Sequence, residues 1–253
     1  MSKIGSRIGR FFRKLIIWVV MVFLWSSLGA VCVYKYVPVR ITPLMIIRLA
    51  EQHKAGKPLT LKHDWVPMEQ INNSLALAVW ASEDQRFLKH NGFDVKEIKL
   101  VLDSQKNNQK LRGASTISQQ TAKNVFLWPK QSWLRKGLES YFTVLIEFIW
   151  DKERIMEVYL NSIEMGRGIY GAQSASREFF GHNAATLTAA ESALIASALP
   201  NPLKRDCRKP NSYMKIRQKS IQYQMKLLGG RFPSKDEIAA LREKEKARKR
   251  AKK

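Results

Sequence analysis

Leu15 to Val33 is a run of 19 residues without a charge, and as a helix it would extend about 28 Å, enough to cross a bilayer. Five basic residues precede it: Lys3, Arg7, Arg10, Arg13 and Lys14. The positive-inside rule therefore predicts a cytoplasmic N-terminus, with everything after about residue 36 on the far side. A cleavable leader is the rival reading. The apolar run is longer than an ordinary leader core, and Leu28 is a poor residue three positions before a cut at Ala30, so an uncleaved anchor is expected. The chain then divides into a basic cytoplasmic segment at 1–14, a single transmembrane anchor at 15–36, an extracytoplasmic domain at 37–230 and a basic tail at 231–253. The part beyond the anchor is large enough for one core.

The formal net charge of +23 is unevenly placed. Residues 1–14 contribute +5, residues 204–231 contribute +8 from nine basic and one acidic side chain, and residues 235–253 contribute +5 from nine and four. An excess held in the flanks suits anionic lipid headgroups better than a sequence-reading surface, so membrane lipids are expected partners and nucleic acid is not. The final run from Ala240 to Lys253 reads as a charged, frayed helix or a disordered tail. Cys32 falls inside the anchor and Cys207 far along the outer domain, which makes a bridge between them improbable. His53, His63, His90 and His182 have no ligand spacing.

Five segments of the outer domain carry chemistry. Ile71, Leu75 and Val79 recur every four residues, and Glu83 is the next position on that stripe, which predicts a helix ending on a partly buried carboxylate. Burial raises a carboxylate's pKa and makes it a candidate general base. In Gly113-Ala114-Ser115-Thr116-Ile117-Ser118-Gln119-Gln120-Thr121-Ala122-Lys123-Asn124, Thr116 and Gln119 have capping-box spacing. The helix start behind the glycine reads as an anion site, with Gln119, Gln120 and Lys123 on roughly one face. Arg135, Lys136 and Glu139 lie on a helix with apolar residues at Leu134, Leu138, Phe142, Leu145 and Ile149. On an exposed face the pair Arg135 and Glu139 would be an ordinary one-turn ion pair contributing about 0.3 to 0.5 kcal/mol. Lys152 to Asn161 reads as a helix closing in a turn at Gly166, Gly168 and Gly171, and Thr188 to Pro202 as a second capping box, an apolar run and a proline stop. Gly166-Arg167-Gly168-Ile169-Tyr170-Gly171 spells a dinucleotide fingerprint, but a helix stands before it where a strand is required, so it reads as a turn.

These segments, in this order, resemble the glycosyltransferase domain that polymerises lipid II into peptidoglycan strands. Glu83, Asp84, Phe87, His90 and Gly92 are similar to that family's first motif and Gly113 to Asn124 to its second. Arg135, Lys136 and Glu139 match the third motif, Lys152, Ile155, Glu157, Tyr159, Leu160, Asn161 and Gly166 the fourth, and Ala190 to Pro202 the fifth. The resemblance covers about residues 65 to 205. It implies a mainly α-helical, lysozyme-like domain with a membrane-dipping subdomain, placed in the periplasm behind an inner-membrane anchor. It further implies inversion from an α-linked donor to a β-1,4 product, with no organic cofactor. Glu83 is then the expected base on the acceptor's 4-hydroxyl, while Lys123, Arg135 and Lys136 neutralise diphosphate and Ser115, Gln119 and Gln120 supply neutral donors. Three roles stay open for Glu139: orienting a cation, stabilising positive charge on the donor sugar, or binding a divalent ion such as magnesium or manganese. His90 reads as a packing and hydrogen-bonding residue of the first motif.

Ser212 and Lys215 have the spacing of a transpeptidase nucleophile and its lysine, but no Lys-Thr-Gly element accompanies them, so a monofunctional enzyme is expected. Lipid II and the growing strand are the substrates the resemblance implies, and other cell-wall synthesis or division proteins are partners it leaves open. A lytic glycan-cleaving enzyme would share a catalytic glutamate but give no use to the glutamines and cations. A non-catalytic membrane adaptor for cell-wall enzymes would leave Glu83 and Glu139 without a task.

Overall fold

The computed structural model describes residues 2–106 and 115–250 and falls into two compact units, Met1–Val37 and Pro38–Lys253. The first unit is essentially one helix, α1 (Ser2–Tyr34), whose stretch Gly9–Tyr34 is long and apolar enough to cross a membrane. Gly113 and Ala114, which open the second motif, lie outside the described residues.

The second unit is mainly helical, and its helices start where side chains can take the first free amides. Thr42 accepts from Met45 N at α2 (Pro43–Lys54), where Pro43 costs no hydrogen bond. Asn72 caps α3 (Asn73–Glu83) by accepting from Ser74 N. After α4 (Val95–Lys106), α5 (Ile117–Phe126) begins on the capping box of Thr116 and Gln119. Ser132 caps α6 (Trp133–Ile149), and Asp151 caps α7 (Lys152–Ser162). Gly171 opens α8 (Ala172–Phe180) at φ 79°, where a Cβ would stand 2.5 Å from Asn161 O, so a side chain there fails on conformation and on space. Thr188 and Glu191 form the second capping box, at α9 (Ala189–Ala198), and Asn211 caps α10 (Ser212–Leu227).

Helix α3 is apolar nearly all round, with Leu75 to Ser82 all buried, because α9 and α10 cover it. Ile71 is buried too, but it precedes the cap, so the stripe that ends on Glu83 starts at Leu75. Helix α5 packs on α6, α7 and α2. The turn read at Gly166 to Gly171 is the tip of a hairpin between β2 (Glu164–Gly166) and β3 (Ile169–Tyr170), which β1 (Lys62–His63) joins in parallel, giving the order β1-β3-β2. Asn161 secures the chain leading out of β1, taking a bond from Val66 N at 3.0 Å and giving one to Val66 O at 2.9 Å.

Of the two readings of the charged C-terminal run, a helix or a disordered tail, the structure has the helix, and it is docked. Lys235–Arg250 forms α11, which packs on α7 and on the turn Phe87–Lys89 of the first motif. Ile238 is buried there, and Phe232 just before it is buried edge-on against Trp80, with both its backbone groups bonded to Asn73. Burying two such side chains contributes about 1.5 to 3 kcal/mol each, enough to hold a short helix that is otherwise charged. Cys32 and Cys207 are both free.

Candidate active site

Glu83 is the last residue of α3, half-buried, and its Oε2 accepts from Gln120 Nε2 at 3.0 Å. The Gln120 amide is itself oriented, because the Tyr159 hydroxyl donates to its Oε1 at 3.2 Å. Tyr159 is fully buried, and burial, aided by Glu83 and Asp84, pushes its phenol well above the ordinary value. It therefore remains a donor, which turns the NH2 of Gln120 toward Glu83. First, second and fourth motifs meet in this chain of three side chains.

Asp84 explains why the start of α5 is not an open anion site. Its Oδ2 accepts from Ile117 N at 3.2 Å and lies 2.9 Å from His90 Nε2, so the helix dipole is already answered by a carboxylate of the first motif. Gln119 is buried, and its Oε1 is taken by Thr116 N in the capping box. Thr116 in turn donates to Gly92 O at 2.6 Å. Asp84, His90 and the cap thus lock the first motif onto the second, the packing role expected of His90.

The cations stand further along. Helix α6 buries an ion pair together with part of its apolar surface and exposes the rest: Arg135, Glu139, Phe142, Thr143 and Ile146 face in, while Trp133 (93 % exposed), Leu134 and Phe148 (89 % exposed) face out. The pair Arg135 and Glu139, 2.8 Å apart, is accordingly buried and not the exposed surface bridge its spacing allowed. Lys136 bonds the other oxygen of Glu139, so both carboxylate oxygens are engaged by cations. Arg135 Nε is buried and has no hydrogen-bond partner among the described residues. Lys123 lies close enough to feel Glu139, Arg135, Lys136 and Glu83; burial holds its ammonium below the ordinary lysine value, with Glu139 the main opposing influence.

Of the residues singled out from sequence, Glu83, Gln120, Lys123, Arg135, Lys136 and Glu139 come together here. Gln119 is occupied in the cap, and Ser115 is exposed just ahead of it. Gln120 and Lys123 also line a cleft of about 370 Å³ together with Arg48, Asn124, Trp128 and Glu164. Arg48 Nε lies 3.3 Å from Glu164, whose carboxyl is raised by burial against the pull of that arginine. Neither residue carried a signal in sequence beyond the nearness of Glu164 to the fourth motif. Behind the site, the Lys152 ammonium is fully buried, 4.3 Å over the Phe87 ring, and paired with Glu147, which also accepts from Ser118 and lies 3.9 Å from Arg242 of α11. Among the described residues no group of three His, Cys, Asp or Glu could hold a metal ion.

A transglycosylase family model matches residues 52–226, more than half of the chain. A biosynthetic peptidoglycan transglycosylase of Bacteroides thetaiotaomicron is 50 % identical over 98 % of this chain and 97 % of its own length. Proteins of that name from Bdellovibrio bacteriovorus and Caulobacter vibrioides are 49 % and 47 % identical, over 83 % and 86 % of this chain and 84 % and 92 % of their own. With a gathered set of carboxylates, amide and cations supplied by the first three of those segments, the chain belongs to the transglycosylase family.

Proposed function

We propose that this enzyme polymerises lipid II, the undecaprenyl-diphosphate-linked disaccharide-pentapeptide, into β-1,4-linked glycan strands. The observation that carries the reading is the gathering of one half-exposed carboxylate, Glu83, with three cations around Lys123. Glu83 takes the proton from the acceptor's 4-hydroxyl as that oxygen attacks C1 of the donor sugar. The C1–O bond to the diphosphate breaks, the configuration at C1 inverts, and undecaprenyl diphosphate leaves as an anion. Lys123, Arg135 and Lys136 neutralise that leaving group, which is the charge that develops in the transition state. The partnerless Nε–H of Arg135 is a donor held ready for a phosphate oxygen. Glu139 holds Arg135 and Lys136 in place, Gln120 orients Glu83, the exposed Ser115 offers a neutral donor, and Gln119 acts through the cap that starts its helix. No organic cofactor is called for, since the diphosphate is already a good leaving group.

The test is the purified full chain in detergent with labelled lipid II, scored for polymer. Fragments from finished strands, with no polymer formed, would transfer the reading to a glycan-cleaving enzyme. Lys123→Ala should weaken both turnover and retention of undecaprenyl diphosphate, the lost charge-assisted contact costing about 1.5 to 3 kcal/mol, and Lys123→Arg should restore only part of it. Unchanged product retention in Lys123→Ala would remove that lysine from the diphosphate site.

We also propose that α1 anchors the chain in the inner membrane with residues 1–14 in the cytoplasm and the catalytic unit in the periplasm, the exposed apolar side of α6 resting in lipid. A reporter active only outside the cytoplasm, fused after Lys253, should be active; good expression without activity would reverse the orientation.

A further inference from the structure

A second groove, of about 510 Å³, meets the catalytic cleft at Pro202 and Leu203, which line both. One wall is Lys62 of β1 and Arg167 at the hairpin tip; the other is the loop after α9, with Lys204, Arg205 and Arg208. Five cations thus face two acids, Glu178 and Asp206. The acids are already spoken for: Glu178 lies 2.5 Å from Lys62, and Asp206 pairs with Arg208 at 2.9 Å. Arg205 is fixed by bonding Ser197 O at 3.1 Å and by stacking 4.6 Å over the Tyr213 ring, and neither contact supplies a negative charge. Arg167 and Lys204 are exposed, and no carboxylate among the described residues pairs with either of them or with Arg205. Ile169, Phe179 and Leu203 add apolar surface to the lining.

A groove whose unanswered positive charge comes from two separate elements, with apolar side chains among its lining, fits an extended ligand with carboxylates at intervals and small apolar groups. A compact diphosphate would instead need donors converging on one point. A lipid surface favours broadly exposed aromatic side chains, and the two most exposed among the described residues, Trp133 and Phe148, are on α6. The glycan strand of the proposed reaction carries such groups on its peptide stems, in free carboxylates and alanine methyls. We propose that this groove binds the carboxylate-bearing peptide stems of the strand where it passes out of the catalytic cleft, so that the product is retained between additions. The proposal rests on the polymerase reading. It adds a determinant of product length made of residues that take no part in bond formation.

The test uses the full-length chain in detergent with three probes: soluble glycan strands bearing stem peptides, the same strands after an amidase has removed the stems, and vesicles containing phosphatidylglycerol. The variant is Arg167→Glu with Lys204→Glu, both on exposed side chains, beside the control Arg167→Lys with Lys204→Arg. The native chain should hold stem-bearing strands more tightly than stripped ones, and the charge-reversed variant should lose that difference, a drop of roughly tenfold, while the control keeps it. The rate of the first addition should be unchanged and the polymer shorter. Equal binding of stripped and stem-bearing strands by the native chain overturns the proposal. So does a variant that binds stem-bearing strands as the native chain does, or one that loses only vesicle binding, which would make the groove a lipid surface. Native protein that yields no polymer from lipid II defeats the polymerase reading instead, and the strand-binding measurement is read independently of it.

Discussion

Glu83→Gln should fold as the native chain does and polymerise lipid II about 10² to 10⁴ times more slowly, the usual contribution of a positioned general base. The substitution is nearly isosteric, and Gln120 can turn its amide to keep a hydrogen bond, so the loss would be that of the proton acceptor alone. Binding of lipid II should change little, because the cations around Lys123 stay in place. Turnover within a few-fold of native in a variant with an unaltered melting profile would take Glu83 out of the proton transfer. Tyr159→Phe is the companion measurement. It removes the hydroxyl that orients Gln120 and leaves the base itself, so a partial loss would separate positioning from chemistry.

The second large effect concerns stability. Lys152→Met should cost about 3 to 5 kcal/mol at neutral pH, because it leaves the buried Glu147 carboxylate without its closest cation. Replacing both partners, Lys152→Met with Glu147→Met, should recover most of that loss, since a buried pair exchanged for apolar groups of similar size is close to neutral. The pH dependence has a definite sign. Burial lowers the Lys152 ammonium from 10.5 to about 8, so between those values the folded chain binds fewer protons than the unfolded one. Stability contributed by this group therefore rises with pH across that window, and below pH 8 the cost of keeping it charged is carried in full. Denaturation of the detergent-solubilised chain at neutral pH and near pH 9.5 should show the rise in the native protein and not in either variant. A single variant within about 1 kcal/mol of native would mean that Arg242 and Ser118 suffice for Glu147.

What could be read from the chain without its fold was whatever depends on near neighbours. The two capping boxes follow from hydroxyl and carboxamide or carboxylate three residues apart, and both are present. The mainly helical class is implied by the resemblance of the five segments, and the structure is mainly helical. What misleads is α6, where apolar periodicity picks out Leu134 as readily as Phe142, yet Leu134 is 69 % exposed and Arg135 beside it is buried. Hydropathy gives the right face only when water lies outside and the core is apolar, and here the inward face has an ion-pair network to complete. The three strands are two or three residues long, too short for an alternation to register. The docking of α11 rests chiefly on Phe232, Ile238 and Arg242, too few points in a charged run to form a pattern. Arg48 and Glu164 meet only across the fold, 116 positions apart.

The reversed helix also changes which substitutions the chain can absorb. Rotating α6 by half a turn would expose Glu139 and bury Trp133 where a salt-bridge network now sits, so the helix has one orientation only. Its polar positions are then the ones that specify structure, where even arginine for lysine alters the geometry. Its exposed aromatic positions, Trp133 and Phe148, specify only greasiness, and Phe148 can be exchanged for leucine or tryptophan with little consequence for the fold. A substitution matrix that treats charged residues as surface and aromatic residues as core would rank the damage at Trp133 and Phe148 against that at Arg135 and Glu139 in the wrong order.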